Sequence, residues 1–406
     1  MVLVKGFRGI RYNKDRIGDF SKIIAPPYDV IDEKQQDELY ERDPLNVVRL
    51  ILAKGEGEKR YSDASKTFSE WLKQSVLIHD SEPCIYPYYQ EFEFEGKKFR
   101  RKGLIAAVKI SDFEEKAVLP HERTFKKHKE DRLKLTDACR ANLSQVFTVY
   151  SDKEGNIEKL VDENLGDPVV DVYNDDDVRN TLWKISDKEI LNKVTELFRD
   201  KTLLIADGHH RYETAINYRN KRREEEGDPS GEKPYDYVMM YISRGEGEGL
   251  VINPTHRVVK TPGKLGAELL RKKLEEYFNI KEIPLNSCSE LAYNQIAVVL
   301  EDSENQWLLE PKEKFEKKYN NMAVMILHNI IFRDIISEQE AGIHYTKFRE
   351  EVFELVKNGD YKLGFLLPKL KSEDIFDVVL DGTKMPHKTT YFYPKTLSGL
   401  VFNPLW

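Results

Sequence analysis

LIADGHHRYETA, residues 204–215, places an Asp-Gly between a short apolar run and a segment of helical period. The preceding TLLIA has the length of one strand, and the DG pair punctuates it. Beyond it, Tyr212, Ala215, Ile216 and Arg219 fall at i, i+3, i+4 and i+7, so the stretch reads as strand, tight turn, helix. The first N–H groups of such a helix lack intrahelical partners, and its dipole favours an anion. Gly208 permits a sharp turn and close approach of a ligand, and Arg211 can grip two phosphate oxygens with its planar fork. His209 and His210 can donate to phosphate or carry a proton, while Asp207 can cap the helix, hold magnesium or orient a histidine. Zinc is disfavoured, because adjacent histidines lack the i, i+4 spacing that puts two ligands on one helix face. A plain turn with local His and Arg pairing is the competing reading.

The surrounding chain supplies an α+β frame of mixed sheets and helices. Tyr61, Ala64, Phe68, Trp71 and Leu72 form one helical stripe, and CIYPYYQEFEFEG with KKFRRKGLIAAVKI forms two strands about the Gly96 turn. Pro87 points to an edge position for the first of these. Residues 151–188 read as an exposed connection with short elements, and Ile190, Leu191, Val194, Leu197 and Phe198 mark a helix. KRREEEGDPSGEKP reads as a surface loop where the helix after DGHHR ends. Farther on, AELLRKKLEEYF is amphipathic, IAVVLEDSENQWLLE is a strand pair, and Met322, Met325, Ile326 and Ile330 mark a core helix. Three domains are expected: 1–165, 166–235 around DGHHR, and 236–406.

At 406 residues the chain exceeds what one core usually serves. Hydrophobic residues make up 40% and charged residues 33%, with mean hydropathy −0.60, so the surface is strongly ionic. A net charge of −7 argues against wholesale binding of a nucleic-acid backbone. MVLVKGFRGIRYNKD carries no apolar leader core, and no apolar run approaches the roughly 18 residues that span a bilayer. Cys84, Cys139 and Cys288 are sparse and without CxxC spacing, which suits a reducing compartment; the expected location is cytoplasmic and no membrane partner is expected.

A second polar cluster, LPHERTFKKHKEDRLKL at 119–135, holds His121, Glu122, Arg123 and Arg132. Pro120 before His121-Glu122-Arg123-Thr124 suggests a shaped loop; Glu122 or His121 would serve as base, and Arg123 and Arg132 would neutralise phosphate. A solvated helix face is the bland alternative. IAPPYDVI at 24–31 presents Tyr28 and Asp29 from a stiff loop. NPTHRVV at 253–259 and MPHKTTYFYPKTLSGLV at 385–401 set His256, Arg257, Lys388, Thr389 and Lys395 near turns.

Together PPYDVI, HERT, KEDR, ADGHHRYETA, PTHR and MPHKTTYFYPK resemble, in order along nearly the whole chain, a bacterial and archaeal family of unknown function. DGHHR followed by a helix also looks like the phosphate-binding signature of the ParB/sulfiredoxin superfamily, which includes partition CTPases, sulfiredoxins and a free serine kinase that uses ADP. That resemblance implies phosphate held by Gly208, His209, His210 and Arg211, and a ParB/sulfiredoxin-like strand-turn-helix unit. A sulfiredoxin carries its catalytic Cys where this chain has His209, so sulfinic-acid reduction is not implied.

The resulting expectation is a phosphate- or nucleotide-binding enzyme, a phosphotransferase or phosphohydrolase acting on a small molecule, with a nucleotide and Mg2+ as the implied cofactor. Glu122, Asp207 and His121 are the candidate catalytic residues; Gly208, His209, His210, Arg211, Arg123 and Arg132 are the candidate phosphate ligands. One alternative is a ParB-like, nucleotide-gated protein acting on DNA or a protein partner. A second is a metal-dependent hydrolase using His121, Asp207, His209 and His210.

Overall fold

The computed structural model describes residues 1–121, 126–227, 231–260, 266–285, 291–301, 303–336, 342–370, 374–375, 378–379, 383, 385–386 and 388–406; side chains at 126–128 lie outside the description. The chain is α+β, with several sheets, and forms two compact units: residues 1–251 with 394–406, and residues 252–393.

The first unit is built on a sheet of ten strands. They are β1 (Val4–Lys5), β2 (Tyr86–Phe94), β3 (Lys97–Arg101), β4 (Gly103–Lys109) and β5 (Val118–Pro120), followed by β6 (Val146–Tyr150), β7 (Val170–Tyr173), β8 (Arg179–Leu182), β9 (Leu203–Asp207) and β10 (Tyr237–Arg244). The order is β7-β8-β2-β4-β10-β6-β9-β5, with β1 added on β4 and β3 on β2. Most neighbours run antiparallel, but β9 lies parallel to β5 and β10 parallel to β6. The central strands read as near-continuous apolar runs because both of their faces are covered: GLIAAVK and YVMMYISR are buried apart from their ends.

The four helices that matter for the site are α1 (Lys59–Lys73), α2 (Lys126–Cys139), α3 (Lys188–Phe198) and α4 (His209–Glu226). Val194 and Phe198 of α3 and Tyr212 and Ala215 of α4 pack into one core with Val108, Val146, Ile205 and Met240 of the sheet. A second core gathers Tyr61, Phe68 and Trp71 of α1 with Leu135 of α2 and with Phe402. The stripe expected at 61–72 is thus buried on its Tyr61, Ala64, Phe68 and Trp71 positions.

Two local expectations are corrected. Pro87 does not mark an edge: β2 is flanked on both sides, with Pro87 paired to Leu104 and its carbonyl accepting from the Trp183 N–H. Only its missing donor matters to a ladder, and near the strand's start that loss is tolerated. The helix after DGHHR runs on through KRREEE to Glu226, where Arg222 pairs with Glu225 and Glu226 along the helix face, and Gly227 ends it at φ 62°.

The second unit carries an antiparallel six-stranded sheet. Its strands are β11 (His256–Val259), β12 (Phe278–Pro284), β13 (Ile296–Leu300), β14 (Asn305–Pro311), β15 (Ile343–Thr346) and β16 (Leu363–Leu366), in the order β12-β14-β13-β16-β11-β15. Helix α5 (Arg349–Lys357) lays Val352 and Val356 against Val258, Ala297 and Leu366 of that sheet. No helix among the described residues is long and apolar enough to cross a membrane.

Candidate functional site

The opening motif forms the strand, turn and helix that its letters suggest. Leu203, Leu204 and Ile205 are buried in β9, Asp207 closes the strand, and Gly208 turns the chain at φ 87°, ψ 31° into α4. Only glycine adopts that left-handed geometry without strain, and a side chain here would also be crowded: a Cβ on Gly208 would lie 2.8 Å from Arg211 Nε. The glycine therefore sets both the turn and the seat of the arginine. Gly208 at the N-cap offers no side chain of its own to cap the first turn of α4.

Arg211 and Lys395 meet on one carboxylate. Arg211 Nη2 donates to Asp207 Oδ2 at 2.5 Å, and Lys395 Nζ donates to Asp207 Oδ1 at 2.9 Å. Arg211 Nη1 also donates to the Gln145 carbonyl. Burial alone would raise the Asp207 pKa, but Lys395 and Arg211 hold the carboxyl well below its ordinary range. Asp207 is a fixed anion that positions two cations, one on each oxygen.

A second trio repeats this arrangement. Asp131 accepts from Arg60, from Arg132 Nε at 2.7 Å and from the Tyr61 hydroxyl at 2.7 Å. Arg132 is held further by the Ile51 carbonyl at 2.7 Å, and its guanidinium lies 3.9 Å over the Tyr28 ring. Each trio has two cations to one carboxylate and so keeps one positive charge in excess. Burial raises the Tyr28 hydroxyl to about 12, helped by Asp29 and opposed by Arg132 and Arg211, so it is a neutral donor at physiological pH.

Arg132 and Arg211 line the same pocket, with Tyr28 and Thr214. Ile51, Leu135, Leu143 and Val238 supply its apolar wall, and it encloses about 470 Å³, its open mouth included. Three stretches far apart in sequence thus converge: PPYD brings Tyr28, KEDR brings Arg132, and DGHHR brings Arg211. Lys129 of α2 pairs with Glu213 of α4 at 2.6 Å, tying together the two helices that carry the arginines.

His121 and His209 form an edge-on ring pair, 4.6 Å between centroids. The register of β5 beside β9 causes this, since Pro120 pairs with Ile205 and places His121 beside the turn. His121 Nδ1 lies 2.5 Å from the Ile205 carbonyl, which can only accept, so Nδ1 is the donor in this contact. The His121 backbone N–H donates to His209 Nε2 at 3.3 Å. His210 is half-buried in the first turn of α4. Glu122, Arg123 and Thr124 lie outside the described residues. Among the described residues, no three His, Cys, Asp or Glu side chains are grouped to hold a metal ion.

Several participants escape sequence reasoning as site members, Asp131 and Arg60 among them. Lys395 lies 188 positions from Asp207, and no local pattern links them. Thr214 could have been found by helical projection, being three residues after Arg211 on the same face.

Fold and site define a mixed α+β protein with a cation-flanked pocket at a strand-to-helix turn. The chain belongs to the family described as protein of unknown function (DUF1015), which matches residues 4–330. No curated protein sequence matches it. Solved structures that align with the chain include a conserved hypothetical protein from Pyrococcus furiosus, at 13% identity and TM-score 0.36 over 68% of this chain and 87% of that one. A free serine kinase mutant in complex with AMP aligns at 12% identity and TM-score 0.40 over 72% and 87%. A C-terminally truncated SbnI from Staphylococcus aureus aligns at 11% identity and TM-score 0.40 over 74% and 87%. At such scores the likeness decides nothing about the site.

Proposed function

We propose that this protein binds a nucleotide or phosphorylated small molecule in the Tyr28–Arg132–Arg211 pocket and transfers or hydrolyses its phosphoryl group. One observation carries the reading: two carboxylate-centred trios, each with one positive charge in excess, contribute an arginine to the same pocket. A phosphate anion is drawn to that excess, which Asp29 near Arg211 offsets in part, and guanidinium groups bind its oxygens in a planar, charge-assisted way. The resemblance of DGHHR to the ParB/sulfiredoxin phosphate signature supports the same placement, with the strand-turn-helix of β9 and α4 as the corresponding unit.

In this reading Arg211 and Arg132 hold the phosphate, and Asp207 and Lys395 keep Arg211 in position. Phosphoryl transfer asks mainly for alignment and for positive charge on the equatorial oxygens, which preset guanidinium groups supply without reorganising. His121, oriented by the Ile205 carbonyl and the His209 ring, is the proton-transfer group beside the turn. Mg2+ would be carried in with nucleotide phosphates and water rather than held in a protein cage, since among the described residues no three His, Cys, Asp or Glu side chains are grouped to hold a metal ion.

Thermal unfolding with orthophosphate, AMP, ADP and ATP, each with and without Mg2+, tests the reading. A true ligand raises the midpoint with the logarithm of its concentration by mass action. A midpoint that stays flat for all of them at matched ionic strength would remove the proposal.

A further inference from the structure

Thr214 is an anomaly in an otherwise well-satisfied wall. It is 3% exposed, lines the pocket, and its hydroxyl has no hydrogen-bond partner. A helical threonine ordinarily returns its hydroxyl to the carbonyl three or four residues back. This one does not, although a buried hydroxyl without a partner is costly to keep. Its neighbours on the pocket wall do not compensate: Ile51, Leu135, Leu143 and Val238 are apolar, and the polar Thr136, Asn142 and Ser144 make no hydrogen bond to it.

Helical spacing fixes where this hydroxyl acts. Arg211 and Thr214 are one turn apart on α4 and line the same pocket, so one helix face brings to it first a guanidinium and then, farther along the helix, a threonine whose hydroxyl is unpartnered. Inorganic phosphate seated on Arg211 and Arg132 would leave the apolar wall and the hydroxyl without use. A phosphate ester of an organic group would cover both.

We propose that Thr214 is the specificity-determining hydroxyl of the pocket: it hydrogen-bonds a polar atom on the organic part of a phosphomonoester whose phosphate rests on Arg211 and Arg132. This inference rests on the phosphate-binding reading above. It assigns the ligand class as small organic phosphates with an apolar or planar body and at least one hydrogen-bonding group set beyond the phosphate.

Thr214→Val tests it, because valine keeps the β-branched shape and removes only the hydroxyl. Its unfolding midpoint is expected to equal or exceed that of the parent chain, since an unpartnered polar atom has been removed from the interior. Calorimetric titration is then run on both proteins with orthophosphate, AMP, ADP, glucose 6-phosphate and glycerol 3-phosphate. The expected result is that at least one organic phosphate binds the parent chain more tightly than orthophosphate does. The variant should lose about tenfold in affinity for that compound, the worth of one buried hydrogen bond, with orthophosphate unchanged. An equal affinity for the organic phosphate in both proteins overturns the role of Thr214 while leaving phosphate binding intact. A loss for orthophosphate as well would place the hydroxyl on the phosphate and overturn the assignment. No organic phosphate tighter than orthophosphate overturns the ligand class, and no binding of any phosphate to the parent chain overturns the reading beneath it.

Discussion

The dipeptide His-Arg occurs at 210–211 and again at 256–257, and the two copies do different work. At 211 the arginine begins a helix, shares a carboxylate with Lys395 and lines a pocket. At 257 it sits inside β11, fully buried, donating to the Thr255 carbonyl and, at 3.0 Å, to the Lys388 carbonyl, with the Tyr345 ring 5.4 Å away. His256 is likewise consumed, since its Nδ1 accepts the Leu367 N–H at 3.1 Å. An arginine spent on backbone carbonyls holds a fold together; one anchored by a carboxylate at a cavity wall can meet a ligand. The residues are the same, and the secondary structure beneath them decides the use.

Replacing each arginine by glutamine should separate the two roles most sharply. Arg211→Gln is expected to cost at least about a hundredfold in phosphate or nucleotide affinity, the worth of its charge-assisted bonds. Arg257→Gln should leave that affinity unchanged but lower stability by about 2–4 kcal/mol, as buried carbonyls lose a charged donor. Titration calorimetry and denaturant unfolding read the two effects, and equal affinity losses would break the contrast.

Asp207→Asn comes next. It strands two cations around a neutral amide, and unfolding at pH 7 should show a loss of about 3 kcal/mol. The Asp207 pKa is depressed in the fold, so its stabilisation is fully present above the unfolded carboxyl value, near about 4, and is lost as pH falls through the lower folded value. The gap between parent and variant should therefore start to narrow only below about pH 4 and go on narrowing as pH falls towards the folded value; a gap that is constant from pH 7 down through that range would contradict the ion-pair account.

Gly208→Ala should cost about 1–2 kcal/mol through its left-handed backbone and should also weaken phosphate binding, because the new Cβ would displace Arg211. A variant with reduced stability and unaltered affinity would show that Arg211 is not held by the turn.

The mildest effect concerns His256. Burial, with Arg257 and Arg349 nearby, lowers its pKa from 6.5 to about 3. The unfolded chain then takes up the proton first, so this group's contribution is intact above pH 6.5 and declines as pH falls toward 3. Near pH 5.5 the loss is about 1 kcal/mol. His256→Gln, which retains an acceptor for the Leu367 N–H, should flatten this part of the pH–stability curve while phosphate affinity stays as it was.

How far the sequence reveals this site depends on the range over which its parts are specified. The strand, turn and helix over 203–219 are legible because strand length, the Asp-Gly punctuation and the 3.6-residue period all act locally, whereas the last turns through KRREEE are hidden by their charge. Their partners are not. That Tyr28 stacks under Arg132 and that Lys395 closes on Asp207 follows from chain crossings over a hundred residues and more, which no periodicity encodes. Pro87 misled for a related reason: its missing donor suggests an edge, but its position near the strand's start lets β2 be flanked on both sides. The meeting of His121 with His209 follows from the parallel register of β5 and β9, a pairing between segments more than 80 residues apart.

The central claim is that an oxyanion sits between Arg132 and Arg211 at the start of α4. A crystal of the full chain soaked in tungstate would test it most directly, through the anomalous signal of the metal. The account predicts one strong peak inside the Tyr28–Arg132–Arg211 pocket, with oxygens within hydrogen-bonding distance of both guanidinium groups. Tungstate bound only elsewhere, with both arginines in contact with nothing but the protein, would contradict it.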